Sequence, residues 1–228
     1  MKLVLLPGMD GTGILFEPLV GALPENLHPM VQSYPRDEPL SYEELLPSIQ
    51  ARLPAGEPFI VLGESFSGPL ALRIAAARPP GLKAIILCAS FVRNPVRLFP
   101  SWCRPLIRPF FFSRYCRPVR ALIAGFSGTD LLPLVMRAKV VAPAVLAARA
   151  RAIVGVNVED ALADCRVPIL YIAGSQDRVV ARHNLARIQA INPCVKVVVL
   201  SAPHLVLQAA PEAAAKAIAE FAASMASR

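Results

Sequence analysis

Short apolar runs and segments with helical periodicity alternate along most of this chain. The runs end at Gly, Pro or Ser, which is typical of buried parallel strands between turns. The predicted strands cover residues 2–6, 30–34, 59–62, 83–89, 169–173 and 195–200. The predicted helices cover residues 16–22, 41–53, 70–77, 182–191 and 205–223. This alternation predicts an α/β fold in which helices cover both faces of a mostly parallel six-stranded sheet.

The alternation stops between residues 91 and 164. Seven prolines divide this segment into apolar, arginine-bearing stretches that look like short helices. We therefore expect a core formed by residues 1–90 and 165–228, with residues 91–164 inserted as a helical cap. Within the core, Ser41 followed by Glu44 predicts a capping box at the start of the helix over 41–53.

The composition is strongly apolar, with 55% hydrophobic residues and a mean hydropathy of +0.50. Each apolar run is nonetheless of strand length, whereas a membrane-spanning helix needs about 20 apolar residues. The excess of apolar residues therefore indicates a large core and no transmembrane segment. The first residues resemble a strand and lack the apolar region and cleavage site of a signal peptide, so we expect a cytoplasmic location.

The cysteines and the net charge argue against several other classes. Five cysteines are scattered without a CxxC pair or nearby histidines, so neither a zinc site nor a disulfide framework is indicated, although pairing of Cys103 with Cys116 stays open. The net charge of +8 arises within residues 91–160, where eleven Lys and Arg outnumber three Asp and Glu. No nucleic-acid-binding module accompanies these basic residues. We expect no nucleic-acid partner, no metal and no cofactor.

Candidate chemistry begins at residues 63–68, which join the third strand to the next helix. Ser65 lies on this turn, where a nucleophile would stand at the N-terminal end of a helix. Gly63 and Ser67, two residues away on either side, are small enough for so tight a turn. Ser67 departs from the usual Gly-x-Ser-x-Gly motif, although Gly68 follows it at once. The sequence predicts Ser65 as a nucleophile.

The two partners that a serine nucleophile needs also follow strands. A serine hydroxyl needs a base, and the base needs an acceptor that fixes its tautomer. Among three histidines, only His204 follows a strand, whereas His28 precedes one and His183 lies in a predicted helix. Asp177 follows the fifth strand. Functional residues of parallel sheets lie mainly where the strands end, so we expect a triad of Ser65, Asp177 and His204. Taken alone, each of the three also fits an ordinary turn or loop residue.

Four segments together resemble the α/β-hydrolase superfamily, and the similarity covers nearly the whole chain. They are residues 6–13, 63–68, 174–179 and 203–204. The resemblance implies that the loop after the first strand and the residue after the nucleophile each donate a backbone N–H to an oxyanion hole. By position these donors are Met9 and Phe66. Pro7-Gly8 stands where the family usually has His-Gly, a variant similar to thioesterase and acyltransferase branches.

The resemblance also implies that the inserted segment forms a lid over the nucleophile. The plainer alternative for its apolar residues is that they pack the lid onto the core. Four aromatic residues are predicted to line an acyl pocket: Phe91, Trp102, Phe110 and Phe111. Four arginines beside them either form a solvated face or bind an acidic acyl carrier protein or an anionic lipid surface: Arg104, Arg108, Arg114 and Arg117.

These features predict a serine hydrolase that cleaves a small-molecule acyl ester or thioester through an acyl-enzyme on Ser65. Acyl transfer and C–C bond cleavage on the same scaffold stay open, as does a ligand-binding or signalling protein of the hydrolase fold with low turnover. Two acidic residues near the site are assigned no catalytic role. Asp10 is predicted to form a turn, and Glu64 to lie behind the site or in solvent.

Overall fold

A six-stranded sheet with every strand parallel to its neighbours forms the centre of the protein. The structure, a computed structural model, describes residues 1–96, 99–112, 131–138 and 140–226. The strands are β1 (Lys2–Leu6), β2 (His28–Val31), β3 (Phe59–Glu64), β4 (Leu82–Cys88), β5 (Ile169–Gly174) and β6 (Lys196–Leu200). Their order across the sheet is β2-β1-β3-β4-β5-β6. The predicted α/β class with a six-stranded parallel sheet is confirmed.

Helices connect the strands and cover both faces of the sheet. They are α1 (Glu17–Ala22), α2 (Tyr42–Gln50), α3 (Gly68–Ala77), α4 (Leu132–Ala138), α5 (Pro143–Gly155), α6 (Glu159–Ala163), α7 (His183–Ile191), α8 (Val206–Ala209) and α9 (Pro211–Ala226). Short 3-10 helices cover Ile14–Phe16, Ser65–Ser67, Ser101–Leu106 and Pro109–Phe112. The predicted capping box is confirmed, because the Ser41 hydroxyl accepts from the Glu44 N–H while the Glu44 carboxylate accepts from the Ser41 N–H.

Successive residues of the central strands point to opposite faces of the sheet, so the core has two layers. Val61 and Ile85 pack on one face with residues of α2, α3 and α7. Ile60 and Ile86 pack on the other face with residues of α1, α8 and α9. Because β3 and β4 are covered on both sides, their sequences are continuous apolar runs rather than alternating ones.

Two predicted elements differ from the observed ones. The second strand covers His28–Val31 rather than 30–34, because only these residues pair with β1, and the chain then leaves the sheet so that the Tyr34 N–H donates to the Gly11 carbonyl. The helix predicted over 205–223 is divided into α8 and α9. Pro211 lacks an N–H and disfavours a helical conformation in the residue before it, and Ala210 accordingly leaves the helical conformation, with φ −137° and ψ 56°.

The described residues between β4 and β5 contain the short helices and α4, α5 and α6. Residues 99–112 pack on α5 through Ile107, which contacts Ala147 and Val154. Both ends of the predicted insert belong to the main core, since Phe91 and Leu162 are buried in the same cluster as the residues of β3. The division into a core and a cap over residues 91–164 stays a prediction.

Several expectations from composition concern the cysteines, metal sites and membrane-spanning helices. Cys88, Cys103, Cys165 and Cys194 carry free thiols, and Cys116 lies outside the described residues. In the described ranges no group of three or more His, Cys, Asp or Glu could hold a metal ion. Over the same ranges no helix is long and apolar enough to cross a bilayer.

The capping box gives a direct test of how α2 is held. Ser41→Ala removes the cap and should lower the free energy of unfolding by about 1 kcal/mol. The matched control is Ser48→Ala on the same helix, where the exposed hydroxyl only donates back to the Leu45 carbonyl, so stability should stay the same or rise slightly. Urea unfolding followed by circular dichroism measures both changes. Equal stabilities for the two variants would contradict the importance of the cap.

Candidate active site

The turn between β3 and α3 holds Ser65 in a left-handed conformation, with φ 48°. A Cβ atom on Gly63 would collide with the Ser67 carbonyl, and one on Gly68 would collide with the Ser90 hydroxyl. Glycine is therefore required at both positions for the turn to close. The Ser90 hydroxyl donates to the Ser65 carbonyl over 2.6 Å and fixes the turn against the end of β4.

Ser67, which departs from the usual glycine, has a structural partner for its hydroxyl. The Ser67 side chain is fully buried, and its hydroxyl donates its one proton to the Pro7 carbonyl. The Tyr34 hydroxyl, 2.6 Å from the Ser67 hydroxyl, must therefore be the donor of the hydrogen bond between them. Burial raises the pKa of Tyr34, which keeps this hydroxyl protonated as a donor. Ser67 therefore ties the turn around Ser65 to the start of the loop after β1.

A chain of two hydrogen bonds joins the three residues predicted as a triad. The Ser65 Oγ atom lies 3.0 Å from His204 Nε2, and His204 Nδ1 lies 2.9 Å from Asp177 Oδ2. A carboxylate only accepts hydrogen bonds, so Nδ1 carries the proton of the neutral ring. Nε2 is then the acceptor for the Ser65 hydroxyl, which is the arrangement that a general base requires.

The ends of β5 and β6 set the positions of Asp177 and His204. Asp177 Oδ1 accepts from the N–H groups of Val179 and Val180 at 2.8 and 2.9 Å, which leaves Oδ2 for the histidine. The loop carrying His204 passes close to the end of β5, where a Cβ atom on Gly174 would collide with the Pro203 carbonyl. The side chains of His204 and Asp177 are only 12% and 7% exposed, so little solvent competes for their hydrogen bond.

The two predicted oxyanion donors are the N–H groups of Met9, on the loop after β1, and of Phe66, next to Ser65. Phe66 belongs to the first turn of the 3-10 helix Ser65–Ser67, where N–H groups have no partner inside the helix. The Met9 N–H donates to no other group in the described part of the chain. Asp10 forms a turn as predicted, because its carboxylate accepts from the N–H of Thr12 at 2.9 Å. Within the described residues, both candidate donors are thus without a hydrogen-bond partner.

Glu64, next to Ser65, is buried rather than solvated. Its Oε1 atom accepts from Gln208 Nε2 at 2.9 Å, while its Oε2 atom has no partner among the described residues. The pKa of Glu64 is raised to about 7, mainly by burial and also by the nearby Asp10 carboxylate, while the Gln208 hydrogen bond and His204 oppose the rise. A signal for this burial was present in the sequence, since Glu64 directly continues an apolar strand.

The aromatic residues predicted to line an acyl pocket occupy different environments. Phe91 is buried in the core, whereas Trp102 and Phe110 are 74% and 62% exposed. Phe111 is also exposed and contacts Phe110 edge to face. The structure does not gather these four side chains around one cavity, and their role toward a substrate stays a prediction.

The four arginines predicted to bind an anionic partner are only partly described. Arg104 and Arg108 are exposed on the same short segment as Trp102, whereas Arg114 and Arg117 lie outside the described residues. A fifth arginine, Arg149, contributes to the net charge of the insert and is not among the predicted site residues. It is 1% exposed, and its guanidinium contacts the loop after β1.

Comparison with known proteins decides the family. A model of the Alpha/beta hydrolase family matches residues 3–217. The chain belongs to the alpha/beta hydrolase family. No curated protein matches this alpha/beta hydrolase significantly in sequence.

Solved structures of other proteins share the fold of this alpha/beta hydrolase. A lipase-esterase related protein from Clostridium acetobutylicum is 12% identical with a TM-score of 0.79, over 96% of this chain and 93% of that one. An enol-lactonase from Burkholderia xenovorans is 15% identical with a TM-score of 0.77, over 97% and 91%. A carboxylesterase structure from Nitrososphaera gargenis is 16% identical with a TM-score of 0.79, over 99% and 91%. At these identities the likeness shows the fold.

The raised pKa of Glu64 predicts how stability depends on pH. Between pH 4.5 and about 7 the unfolded chain has lost the Glu64 proton while the folded chain keeps it, so stability falls as pH rises through this window. The contribution is on the order of 3 kcal/mol. Glu64→Gln stays neutral and should lack this part of the decline, whereas the same change at exposed Glu25 should leave the wild-type profile. Urea unfolding from pH 4.5 to 8 measures the difference, and parallel profiles for Glu64→Gln and wild type would contradict it.

Proposed function

We propose that this alpha/beta hydrolase cleaves an acyl ester or thioester through a covalent acyl-enzyme on Ser65. The observation that carries the proposal is the pair of hydrogen bonds from Ser65 to His204 and from His204 to Asp177. These hydrogen bonds support the proposal because a hydroxyl, a base and an orienting carboxylate joined in this order can activate a serine. The left-handed backbone at Ser65 is a second support, because such strain is maintained mainly at functional positions.

In the first half of the reaction, Ser65 Oγ attacks the acyl carbon while His204 Nε2 takes the hydroxyl proton. The carbonyl oxygen becomes an oxyanion, which the N–H groups of Met9 and Phe66 stabilise by donating hydrogen bonds. Asp177 accepts from Nδ1 and stabilises the imidazolium that forms. When the tetrahedral intermediate collapses, the bond to the alcohol or thiol breaks, and His204 gives its proton to that leaving group.

In the second half, water enters the place of the leaving group. His204 Nε2 takes a proton from the water, and the resulting hydroxide attacks the acyl carbon of the ester on Ser65. A second oxyanion forms between the same two donors. Its collapse releases the carboxylic acid, and His204 returns the proton to Ser65 Oγ, so the enzyme is restored without any other co-reactant.

Hydrolysis of an ester or thioester is favoured over the alternatives because the reaction described above needs no second substrate except water. Hydrolysis needs only water as the second substrate, whereas acyl transfer needs a bound alcohol or amine acceptor. The similar structures carry names of a lipase-esterase related protein, a carboxylesterase and an enol-lactonase. A ligand-binding protein with low turnover would not need an unbroken chain of hydrogen bonds from Ser65 to Asp177. Acyl transfer and ligand binding are therefore second to hydrolysis.

The inserted segment is proposed to bring the protein to its acyl substrate at an anionic lipid surface. Trp102 and Phe110 are exposed beside Arg104 and Arg108, and residues 99–112 contain no acidic side chain. Exposed aromatic rings beside arginines fit the boundary between lipid headgroups and acyl chains. An acidic acyl carrier protein would use the arginines but would leave the apolar rings in water, so the lipid surface is favoured.

Modification of a single serine tests the proposed nucleophile. A fluorophosphonate should add once to the wild-type protein, and peptide mass mapping should find the adduct on Ser65. Ser65→Ala should lose both the adduct and the turnover of p-nitrophenyl acyl esters while keeping the circular dichroism spectrum of the wild type. Ser67→Ala is the matched control, because it removes a neighbouring hydroxyl but should still be labelled on Ser65. An adduct on Ser67, or turnover retained by Ser65→Ala, would contradict the proposal.

The single tryptophan of the chain reports on the proposed lipid contact. With vesicles containing phosphatidylglycerol, the Trp102 emission should shift to the blue and be quenched by brominated acyl chains. Vesicles of phosphatidylcholine alone should give a much smaller shift, since the arginines then lack anionic partners. Arg104→Gln with Arg108→Gln should weaken binding, whereas Val199→Ser, at an exposed apolar position on β6, should not. Unchanged emission with anionic vesicles, together with salt-sensitive binding of acyl carrier protein, would contradict the lipid surface and favour the carrier.

A further inference from the structure

Arg149 is a buried arginine whose guanidinium donates hydrogen bonds to backbone carbonyls rather than to a carboxylate. It lies on α5, within the inserted segment, and is 1% exposed. Its guanidinium donates from Nη1 to the Met9 and Asp10 carbonyls at 3.0 and 2.9 Å, and from Nη2 to the Pro35 carbonyl at 2.7 Å. Burial lowers the pKa of Arg149 from its usual value, which reflects the cost of removing the cation from water. Such a cost calls for a role beyond filling space.

The three carbonyls place Arg149 against the loop that carries the candidate donor Met9. The Met9 N–H belongs to the peptide between Gly8 and Met9, whose carbonyl accepts from the Gly11 N–H at 3.0 Å. The next peptide, between Met9 and Asp10, is fixed through its carbonyl by Arg149. Met9 is thus held on both sides, and the direction of its N–H follows from the two constraints.

The loop leaves room for this guanidinium by using a glycine. Gly11 has φ 68°, and a Cβ atom at this position would collide with the Arg149 guanidinium. The Gly11 carbonyl in turn accepts from the Tyr34 N–H at 2.7 Å. Arg149, Gly11 and the loop after β1 therefore fit together as one packed unit.

Tyr34 connects Arg149 to the turn around Ser65. The Arg149 guanidinium lies 5.6 Å from the centre of the Tyr34 ring, at a distance typical of a cation–π contact. The Tyr34 hydroxyl contacts Ser67, and Ser67 donates to the Pro7 carbonyl at the start of the same loop. Both proposed oxyanion donors, Met9 and Phe66, are consequently adjacent to one network that starts at Arg149.

We propose that Arg149 is a positioning residue that fixes the loop after β1 so that the Met9 N–H is preset for the oxyanion. The inserted segment then completes the machinery for transition-state stabilisation, in addition to any contact with substrate. This inference rests on the proposed hydrolysis at Ser65. A preset donor acts mainly where charge develops, so its loss lowers kcat and leaves KM nearly unchanged.

Arg149→Met tests the role, because methionine fills much of the same buried volume without a charge. With a p-nitrophenyl acyl ester, kcat should fall about 100-fold, as for the loss of one oxyanion donor, and KM should stay within about threefold. A trifluoromethyl ketone that forms a tetrahedral adduct on Ser65 should bind weaker by the same factor. Arg151→Met on the same helix is the control and should match wild type. Circular dichroism and urea unfolding establish that each variant is folded under the assay conditions.

Arg149→Lys is a second test of the positioning role, and it can also be used if Arg149→Met does not fold. Lysine keeps a buried cation but loses the planar fork that contacts three carbonyls, so its kcat and ketone affinity should lie between wild type and Arg149→Met. A folded variant with wild-type kcat, or with only a raised KM, would contradict the positioning role and leave Arg149 as a link between insert and core. An inactive wild-type protein would instead contradict the proposed function itself.

Discussion

The chain turns from β3 into α3 around Ser65, and the close approach of Gly63 to the Ser67 carbonyl makes that turn possible. A left-handed serine costs about 1 to 3 kcal/mol and persists only where its surroundings determine it. Here Ser90 holds the Ser65 carbonyl, and Tyr42 donates to the Phe66 carbonyl at 2.8 Å. The orientation of the Ser65 hydroxyl toward His204 depends on these fixed carbonyls, since a relaxed turn would point it elsewhere.

Much of the fold could be predicted because buried parallel strands have a simple sequence pattern. The apolar runs of β1, β3, β4 and β5 were found to within two residues, since both faces of these strands are covered. β2 was misplaced because it lies at the edge of the sheet, where Pro29 is tolerated and apolar content is no guide to pairing. The division at Pro211 was missed because the alanine-rich sequence around it favours a helix on both sides.

The candidate triad was predictable for a related reason. Parallel strands all end at one edge of the sheet, so a serine, an aspartate and a histidine that each follow a strand are brought to the same edge. The burial of Glu64 and Arg149 is harder to predict, because charged residues are rarely buried and their types alone indicate exposure to solvent. A finer pattern did exist for Arg149, since Val145, Arg149 and Ala152 share one buried stripe of α5 at helical spacing.

The position of β5 beside β4 also affects the order in which the protein assembles. The two strands are neighbours in the sheet but are separated in the chain by the whole of residues 89–168. Closing so long a connection is entropically unfavourable until the pairing is made, so contacts of this kind form late in folding. Strands β1 to β4 pair across shorter connections, the longest being residues 7–58 between β1 and β3, and they carry the turn around Ser65. A nascent chain stalled before residue 169 would therefore display its nucleophile turn without the histidine that activates it.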